Sequence, residues 1–382
     1  MRRQLDRFPR NEIISLTRET PRYDLAESVG PDLLLRDLLQ TGSAGEFDEL
    51  VLGYGTAAGD PALRSLIAAR QGVDAEDVVV MAGGMQALFL AAFILCEPGD
   101  QVVVASPMFP NARASLLAVG AIVREVPVTF DNGYRLDLDT LTSRLSPRTR
   151  LVSLASPQNP SGVAVPPEDI ATILDAMSRT CPDAFLLVDE TYREAIYGDA
   201  VPVPSAASRD TRIIVCASLS KCHGAPGIRI GWAATRDSAL REQMMLGKFN
   251  TIIACSAIDE ALAIRVLEDQ DRIIGARRLH LKEGLDRTEA WVGANSGLVE
   301  CVKPDAGALC CIRLRPEVFD TDGIDRFYEA LSERSLRVAR GSWFGEVDSV
   351  FRLGFGFMTM ADLDQALDGL SEALLATTRQ AA

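Results

Sequence analysis

The 382-residue sequence has only two histidines and no pair of cysteines spaced as CxxC. It therefore lacks the usual ligand pattern of zinc sites, and we expect no metal site. The eight cysteines are scattered, and several lie within hydrophobic runs. That distribution is typical of reduced, mostly buried thiols, so we expect a cytoplasmic protein.

Long apolar segments and a basic surface are also missing. The longest strongly apolar run, ALFLAAFILC, has ten residues, which is too short to cross a bilayer. The N-terminal MRRQLDRFPRNEII begins basic without an apolar core, so we expect no signal peptide. The net charge of −14 argues against a nucleic-acid partner, because such proteins depend on a basic surface. We expect neither nucleic acid nor membrane as a partner.

Alternating strands and helices dominate residues 48–235. Short runs rich in Val, Ile and Leu are separated by helical segments, as in DVVVMA, DQVVVAS, AFLLVDE and TRIIVCAS. Continuous apolar strands of this kind are typical of a mostly parallel sheet with helices on both faces. The sequence therefore predicts an α/β fold with a three-layer large domain.

The C-terminal third has a different pattern. The helical segment LEDQDRIIGARRLHLKEGLDRTEAWV is long enough to link two domains, and ALCCIRL and SVFRLGF are strands between helices. This order predicts a smaller α+β domain. We assign residues 46–290 to the large domain and residues 1–45 plus 291–382 to the small one.

The segment SLSKCHGAPGIRIG places Lys221 just after an apolar strand. A lysine there commonly extends to water. However, Ser218, Ser220 and Arg229 lie around it, and these side chains suit a phosphate. Ligands bind at the carboxyl ends of parallel strands, where a lysine amine can react with an aldehyde cofactor such as pyridoxal phosphate.

Other strand ends carry candidate partners for such a cofactor. Backbone N–H groups at the start of the helix in GGMQ suit the phosphate, a carboxylate suits the ring nitrogen, and polar or aromatic groups suit the ring itself. The candidates, in that order, are Gly84, Met85 and Gln86; Asp189; and Tyr192, Asn159 and Phe109. Each has an ordinary alternative when taken alone: a helix start for GGMQ, an N-cap for Asp189 and core packing for Phe109.

Taken together, these motifs resemble the class I/II aminotransferase family of fold-type I pyridoxal-phosphate enzymes. The segments that carry the resemblance are YGTAAGDPALRSLIA, NPSG, DETY, SLSKCHGAPGIRIG and FRLGF. It implies pyridoxal 5'-phosphate as cofactor, amino acids and 2-oxo acids as substrates, and a homodimer. Lys221 and Asp189 would be catalytic, Tyr54 would reach the phosphate of the neighbouring subunit, and Arg352 with Asn159 would bind the substrate carboxylate.

Three departures from the family pattern bear on the substrate. Met85 replaces a common small hydroxyl residue, Arg340 stands where a proline usually precedes the glycine, and Glu27 and Ser28 occupy positions that often line the substrate pocket. If Glu27 faces the cleft, we expect a basic amino acid such as arginine. Otherwise Glu27 lies at the surface or pairs with an arginine.

The same resemblance leaves other functions open. Some aminotransferase-like enzymes of specialised metabolism oxidise, hydroxylate or cyclise arginine-type amino acids, and this is the alternative to amino-group transfer. A cofactor-binding regulatory protein is disfavoured, because the sequence has no basic DNA-binding segment.

Overall fold

The computed structural model describes residues 7–18, 20–39 and 47–378. Within them the β-strands are β1 (Tyr23–Asp24), β2 (Val78–Met81), β3 (Gln101–Ser106), β4 (Ile122–Pro127), β5 (Thr149–Ala155), β6 (Phe185–Asp189), β7 (Ile213–Ser218), β8 (Gly231–Ala234), β9 (Val299–Val302), β10 (Leu309–Leu314), β11 (Leu336–Arg337), β12 (Ala339–Arg340) and β13 (Val350–Gly354). The α-helices are α1 (Leu35–Leu39), α2 (Pro61–Gln71), α3 (Gly84–Leu95), α4 (Pro110–Ala118), α5 (Leu138–Arg144), α6 (Pro167–Thr180), α7 (Ser238–Ile252), α8 (Ala257–Glu268), α9 (Gln270–Ala294), α10 (Thr321–Glu333) and α11 (Met360–Thr377).

A seven-stranded sheet forms the centre of the fold, in the order β2-β8-β7-β6-β5-β3-β4. Successive strand residues point to opposite faces, so Val78 and Val80 join one hydrophobic cluster while Val79 and Met81 join another. Both faces are therefore covered, as the apolar runs predicted. The strands are parallel except β8, which runs antiparallel to β2 and β7. The predicted mostly parallel α/β fold is confirmed.

The α3 helix begins directly after β2 and carries the GGMQ segment. Gly83, the residue before the helix, has φ of +78°, a conformation that side chains other than glycine rarely adopt. The first glycine of the pair therefore makes the sharp turn from strand to helix. It places the N-terminus of α3 at the carboxyl edge of the sheet.

A second sheet lies in the C-terminal part, with the antiparallel order β12-β13-β10-β9. The α10 and α11 helices pack against it around Phe327 and Phe351, whose ring centroids are 5.6 Å apart and which are both fully buried. The short strand β1 pairs in parallel with β11 in a separate two-stranded sheet, which ties the N-terminal segment to the C-terminal part.

The long helix α9 spans 25 residues, as its sequence predicted, and connects the two sheets. The proposed division into 46–290 and 1–45 plus 291–382 stays a prediction, and its first boundary lies outside the described residues. Among the described helices, none combines the length and the apolar character needed to span a membrane.

Candidate active site

A cleft of about 190 Å³ opens at the carboxyl ends of β5, β6 and β7. The residues around it come from the strand ends, the start of α3, the N-terminal segment and β13: Ile13, Leu16, Ser28, Gly84, Met85, Leu88, Phe109, Ala155, Pro157, Asn159, Asp189, Thr191, Tyr192, Ser218, Ser220, Lys221, Arg229 and Arg352. Larger hollows of about 330 and 500 Å³ lie elsewhere in the described chain and contain no lysine. The chemistry therefore singles out the smaller cleft.

Lys221 lies in the cleft with its amine held by a polar chain. Its Nζ donates to Ser28 Oγ at 3.3 Å, and Ser28 Oγ is 2.8 Å from Tyr192 Oη. Ser28 and Tyr192 are both buried, at 3% and 5% exposed. The lysine amine is therefore linked through Ser28 to both the N-terminal segment and Tyr192 after β6, and it lines the cleft.

Asp189 ends β6 at the floor of the cleft. Its Oδ1 accepts hydrogen bonds from Thr191 N at 3.0 Å and from Thr191 Oγ1 at 2.6 Å. Burial raises the pKa of this carboxyl, and the Thr191 hydrogen bonds and the charge of Lys221 oppose that rise only in part. A cation placed against the carboxylate would favour its charged form.

An anion cradle lies at the start of α3. The half-buried N-terminus of the helix lies beside Ser218, Ser220 and the guanidinium of Arg229. Arg229 has φ of +52°, and its Nη1 lies 2.9 Å from Pro226 O and 3.5 Å from Ser220 Oγ. A helix N-terminus, two hydroxyls and a guanidinium together suit a phosphate.

Gly231, the first residue of β8, packs directly against the turn that opens α3. A Cβ at this position would lie 2.5 Å from Gly83 C and Gly84 N and 2.7 Å from Ala217 O. No side chain fits there without moving the turn. The antiparallel strand β8 therefore supports the anion cradle from below.

Arg352 reaches the cleft from β13 and is 2% exposed. Its Nη1 donates to Asn159 Oδ1 at 2.7 Å, Nη2 donates to Ala26 O, and the guanidinium lies 4.7 Å from the centroid of the Phe344 ring. Burial lowers the pKa of Arg352, and the nearby carboxylate of Glu27 counteracts this. Nε has no partner among the described residues.

Three of the expected residues do not line the cleft of the described chain. Tyr54 is 85% exposed. The Gln86 side chain accepts from Ala82 N at 2.7 Å and donates to Thr251 Oγ1, so it braces the α3 turn from outside the cleft. Glu27 is half-buried beside Ser28. The remaining expected residues all meet at the cleft.

Other cleft residues were missed by the sequence analysis. Thr191 follows Asp189 at the spacing of an Asx turn, so local pattern was available to find it. Ile13 and Leu16 belong to a 3-10 helix at Glu12–Thr17, and with Leu88 they form an apolar wall. Nothing near Ile13 or Leu16 in the sequence marks them as cleft residues.

A buried charge network lies behind the cleft. Glu194 accepts two hydrogen bonds from Arg70, at 3.2 and 3.1 Å, and one from Arg193 at 3.1 Å. Burial favours a higher pKa for Glu194, but the Arg70 hydrogen bonds and the Arg193 charge outweigh it and hold the pKa below its usual value. Burial also lowers the pKa of the adjacent His223 to about 4, which keeps that imidazole neutral at pH 7.

The cleft fits pyridoxal 5'-phosphate by the chemistry of its donors. The anion cradle, the Lys221 amine, the Asp189 carboxyl and the Phe109 ring all line it. The close packing of Gly231 keeps the cradle open to a phosphate.

The chain resembles known proteins over most of its length. Residues 23–370 match the family described as aminotransferase class I and II. A capreomycidine synthase from Streptomyces vinaceus is 31% identical over 330 residues, covering 86% of this chain and 82% of that protein. An arginine–pyruvate transaminase from Pseudomonas aeruginosa is 32% identical over 319 residues, covering 78% and 77%.

Solved structures show the same fold. A pyridoxal-phosphate-dependent aminotransferase from Streptococcus suis superposes with a TM-score of 0.88 at 24% identity, over 98% of this chain and 100% of that one. The expected fold-type I architecture is confirmed.

The Gly231→Ala variant should bind pyridoxal phosphate about 10- to 100-fold more weakly. The new methyl group displaces Gly83 and Gly84, and a lost hydrogen bond to a charged group costs about 1.5–3 kcal/mol. Equilibrium titration of the apoprotein measures this. The matched control is Gly227→Ala, since a Cβ at Gly227 meets no atom within 4 Å. Equal affinities for the two variants would contradict the supporting role of Gly231.

Proposed function

The chain belongs to the class I and II aminotransferases and is a pyridoxal-phosphate-dependent aminotransferase, and we propose that it moves the amino group of a basic L-amino acid to a 2-oxo acid. In this proposal Lys221 and Asp189 are the catalytic residues and Arg352 holds the substrate α-carboxylate. The observation that carries the proposal is the convergence of a lysine amine, a buried carboxylate and an anion cradle on one cleft.

Each residue has a role that follows from its place. When bound, pyridoxal phosphate supplies an aldehyde that reacts with amines and a ring that accepts electrons from Cα. Lys221 Nζ would hold that aldehyde and, once displaced by the incoming amino acid, would take the proton from Cα as general base. Asp189 would keep a proton on the ring nitrogen. Ser28 and Tyr192 orient the lysine amine.

The cofactor's phosphate and ring are held by the other expected residues. The backbone N–H groups of Gly84, Met85 and Gln86 and the side chains of Ser218, Ser220 and Arg229 would hold the phosphate. Phe109 would stack on the ring, and Asn159 and Tyr192 would contact its hydroxyl. Because the cradle joins three elements, it would fix the position of the phosphate and so orient the cofactor.

Borohydride reduction tests the role of Lys221. We expect it to fix pyridoxal phosphate to the wild-type chain and to Lys282→Ala, an exposed-lysine control, but not to Lys221→Ala. Asp189→Asn should retain cofactor yet lose about 100-fold or more in kcat, because a neutral amide holds the ring proton poorly. Asp183→Asn, which changes an exposed aspartate before the same strand, serves as its control. A fully active Asp189→Asn, or an adduct in Lys221→Ala, overturns the assignment.

Two observations support a basic substrate. The relative from Pseudomonas aeruginosa is named for arginine, and Glu27, although it does not line the cleft of the described chain, is half-buried beside the cleft residue Ser28. The apolar wall of Ile13, Leu16 and Leu88 would pack against the methylene stem of a long basic side chain. A partly desolvated carboxylate on Glu27 would then select its cationic end.

A panel of amino acids, assayed with and without a 2-oxo acid and with oxygen uptake followed, tests the substrate. We expect arginine to have the highest kcat/KM, and Glu27→Gln to lower it by about 10- to 100-fold, as for a lost charged partner. Turnover of alanine should change little. Glu168→Gln, which removes an exposed charge on α6, is the control. Faster turnover of aspartate or leucine than of arginine would remove the role given to Glu27.

The second candidate function is oxidation, hydroxylation or cyclisation of an arginine-type amino acid. The 31% identity to a capreomycidine synthase favours it, since that relative is a synthase by name. In the same panel, turnover that needs no 2-oxo acid and consumes oxygen supports an oxidase or hydroxylase. Strict dependence on the acceptor supports amino-group transfer.

We further propose a homodimer in which Tyr54 completes the phosphate site of the partner. Tyr54 does not line the cleft of its own chain and is 85% exposed, and Val51 and Leu52 near it are 81% and 75% exposed. Exposed apolar side chains in a cluster of this kind favour an interface. Sedimentation should show a dimer, and Tyr54→Phe should weaken pyridoxal phosphate by about tenfold. A monomer with full activity would exclude the role in the partner's site.

A cytoplasmic location is also part of the proposal. All eight cysteines are free, and seven of them are buried. Free thiols in this number suit a reducing compartment.

A further inference from the structure

We propose that Arg277 is a positioning residue that clamps the main chain at Lys221 to the N-terminal segment bordering the cleft. This inference rests on the proposed function, because it concerns the lysine assigned to the cofactor. Arg277 lies on α9, outside the cleft, and touches neither the cofactor cradle nor the residues proposed for the substrate.

The guanidinium of Arg277 joins two separate segments. Its Nη2 donates to Lys221 O at 3.3 Å, and its Nη1 donates to Pro31 O. Leu33 N donates to Gly224 O at 2.8 Å beside it. The planar guanidinium fork therefore binds one carbonyl oxygen of each segment at the same time. A lysine has a single ammonium nitrogen and cannot reproduce this two-nitrogen geometry.

Two glycines make room for this fork. A Cβ at Gly30 would lie 2.7 Å from Arg277 Nη2, and a Cβ at Gly224 would collide with Nη1. Both segments thus approach the guanidinium more closely than any side chain would allow. Close contact on both faces fixes the position of the arginine as well as that of the two segments.

Arg277 is also buried, at 8% exposed. Burial lowers its pKa, and the charge of Asp32 opposes this. A desolvated guanidinium must be hydrogen-bonded to be tolerated. The two carbonyl oxygens provide that, so releasing either segment would leave a buried donor unpaired.

The clamp acts on both sides of the reacting amine. Ser28, which accepts from Lys221 Nζ, precedes Gly30 by two residues. Arg277 therefore holds the main chain of Lys221 and the segment that orients its side chain. Arg352 keeps its hydrogen bond to Asn159 and its contact with the Phe344 ring, which lie outside both clamped segments, so loss of the clamp mainly loosens the base. A misplacement of about 1 Å can lower a rate 100-fold.

Three variants of the holoenzyme test the clamp: Arg277→Met, Arg277→Lys and Gly30→Ala. We expect Arg277→Met to lower kcat by about 10- to 100-fold with little change in KM, and Arg277→Lys to recover only part of the loss. Hydrogen exchange should increase at residues 28–33 and 219–225 and stay unchanged in α10 and α11. Gly30→Ala displaces the fork while keeping the arginine, so it should reproduce part of the effect and add little in the Arg277→Met background.

The control is Arg272→Met, which removes an exposed cation paired with Asp269 on the same helix. Wild-type kcat and exchange in Arg277→Met, or faster exchange throughout the chain, would overturn the clamp. If Arg277→Met does not fold, Gly30→Ala decides, and a wild-type result for it overturns the proposal. Failure of the proposed function appears differently, as borohydride-fixed cofactor in Lys221→Ala.

Discussion

The burial of the Arg352 guanidinium is the constraint on which the site depends. A cation that is 2% exposed is costly unless its donors are filled. Its partners come from distant parts of the chain: Asn159 from the loop after β5, Ala26 from the N-terminal segment and the Phe344 ring from the loop before β13. Satisfying this one charge brings the small sheet, the large sheet and the N-terminal segment together. The cleft lies where they meet.

The buried carboxyls in and behind the cleft also depend on whether a cation pairs with them. Glu194 is held ionised by Arg70 and Arg193, whereas Asp189, with only Thr191 hydrogen bonds and a more distant Lys221 charge, has a raised pKa. The two carboxyls belong to one short segment, yet their different neighbours shift their pKa values in opposite directions. The paired one is structural and the unpaired one faces the cleft, which is the arrangement expected where a ligand supplies the missing cation.

Much of the fold was predictable, because its strands are continuous apolar runs and its helices are periodic. Most of the motif residues also lie in one cleft, since carboxyl ends of parallel strands share an edge. Local sequence could not supply the antiparallel direction of β8, the packing of Gly231 on the α3 turn or the contacts of Arg277. These depend on residues tens of positions away. Ile13 and Leu16 likewise join the cleft only through tertiary packing.

Selectivity among amino acids has to come from contacts to the substrate side chain, because all of them share the α-carboxylate. In the proposed function the α-carboxylate meets a guanidinium already fixed by Asn159 and Ala26, so this contact is the same for every amino acid and carries no selectivity. The proposal assigns discrimination to the apolar wall and to Glu27, the half-buried neighbour of Ser28. An apolar wall distinguishes side chains by only about 1–3 kcal/mol per methylene, whereas a carboxylate that needs a cation rejects side chains lacking one far more strongly. In the proposed function, selectivity therefore depends chiefly on contact between the Glu27 carboxylate and the substrate. The apolar contacts of Ile13, Leu16 and Leu88 contribute less.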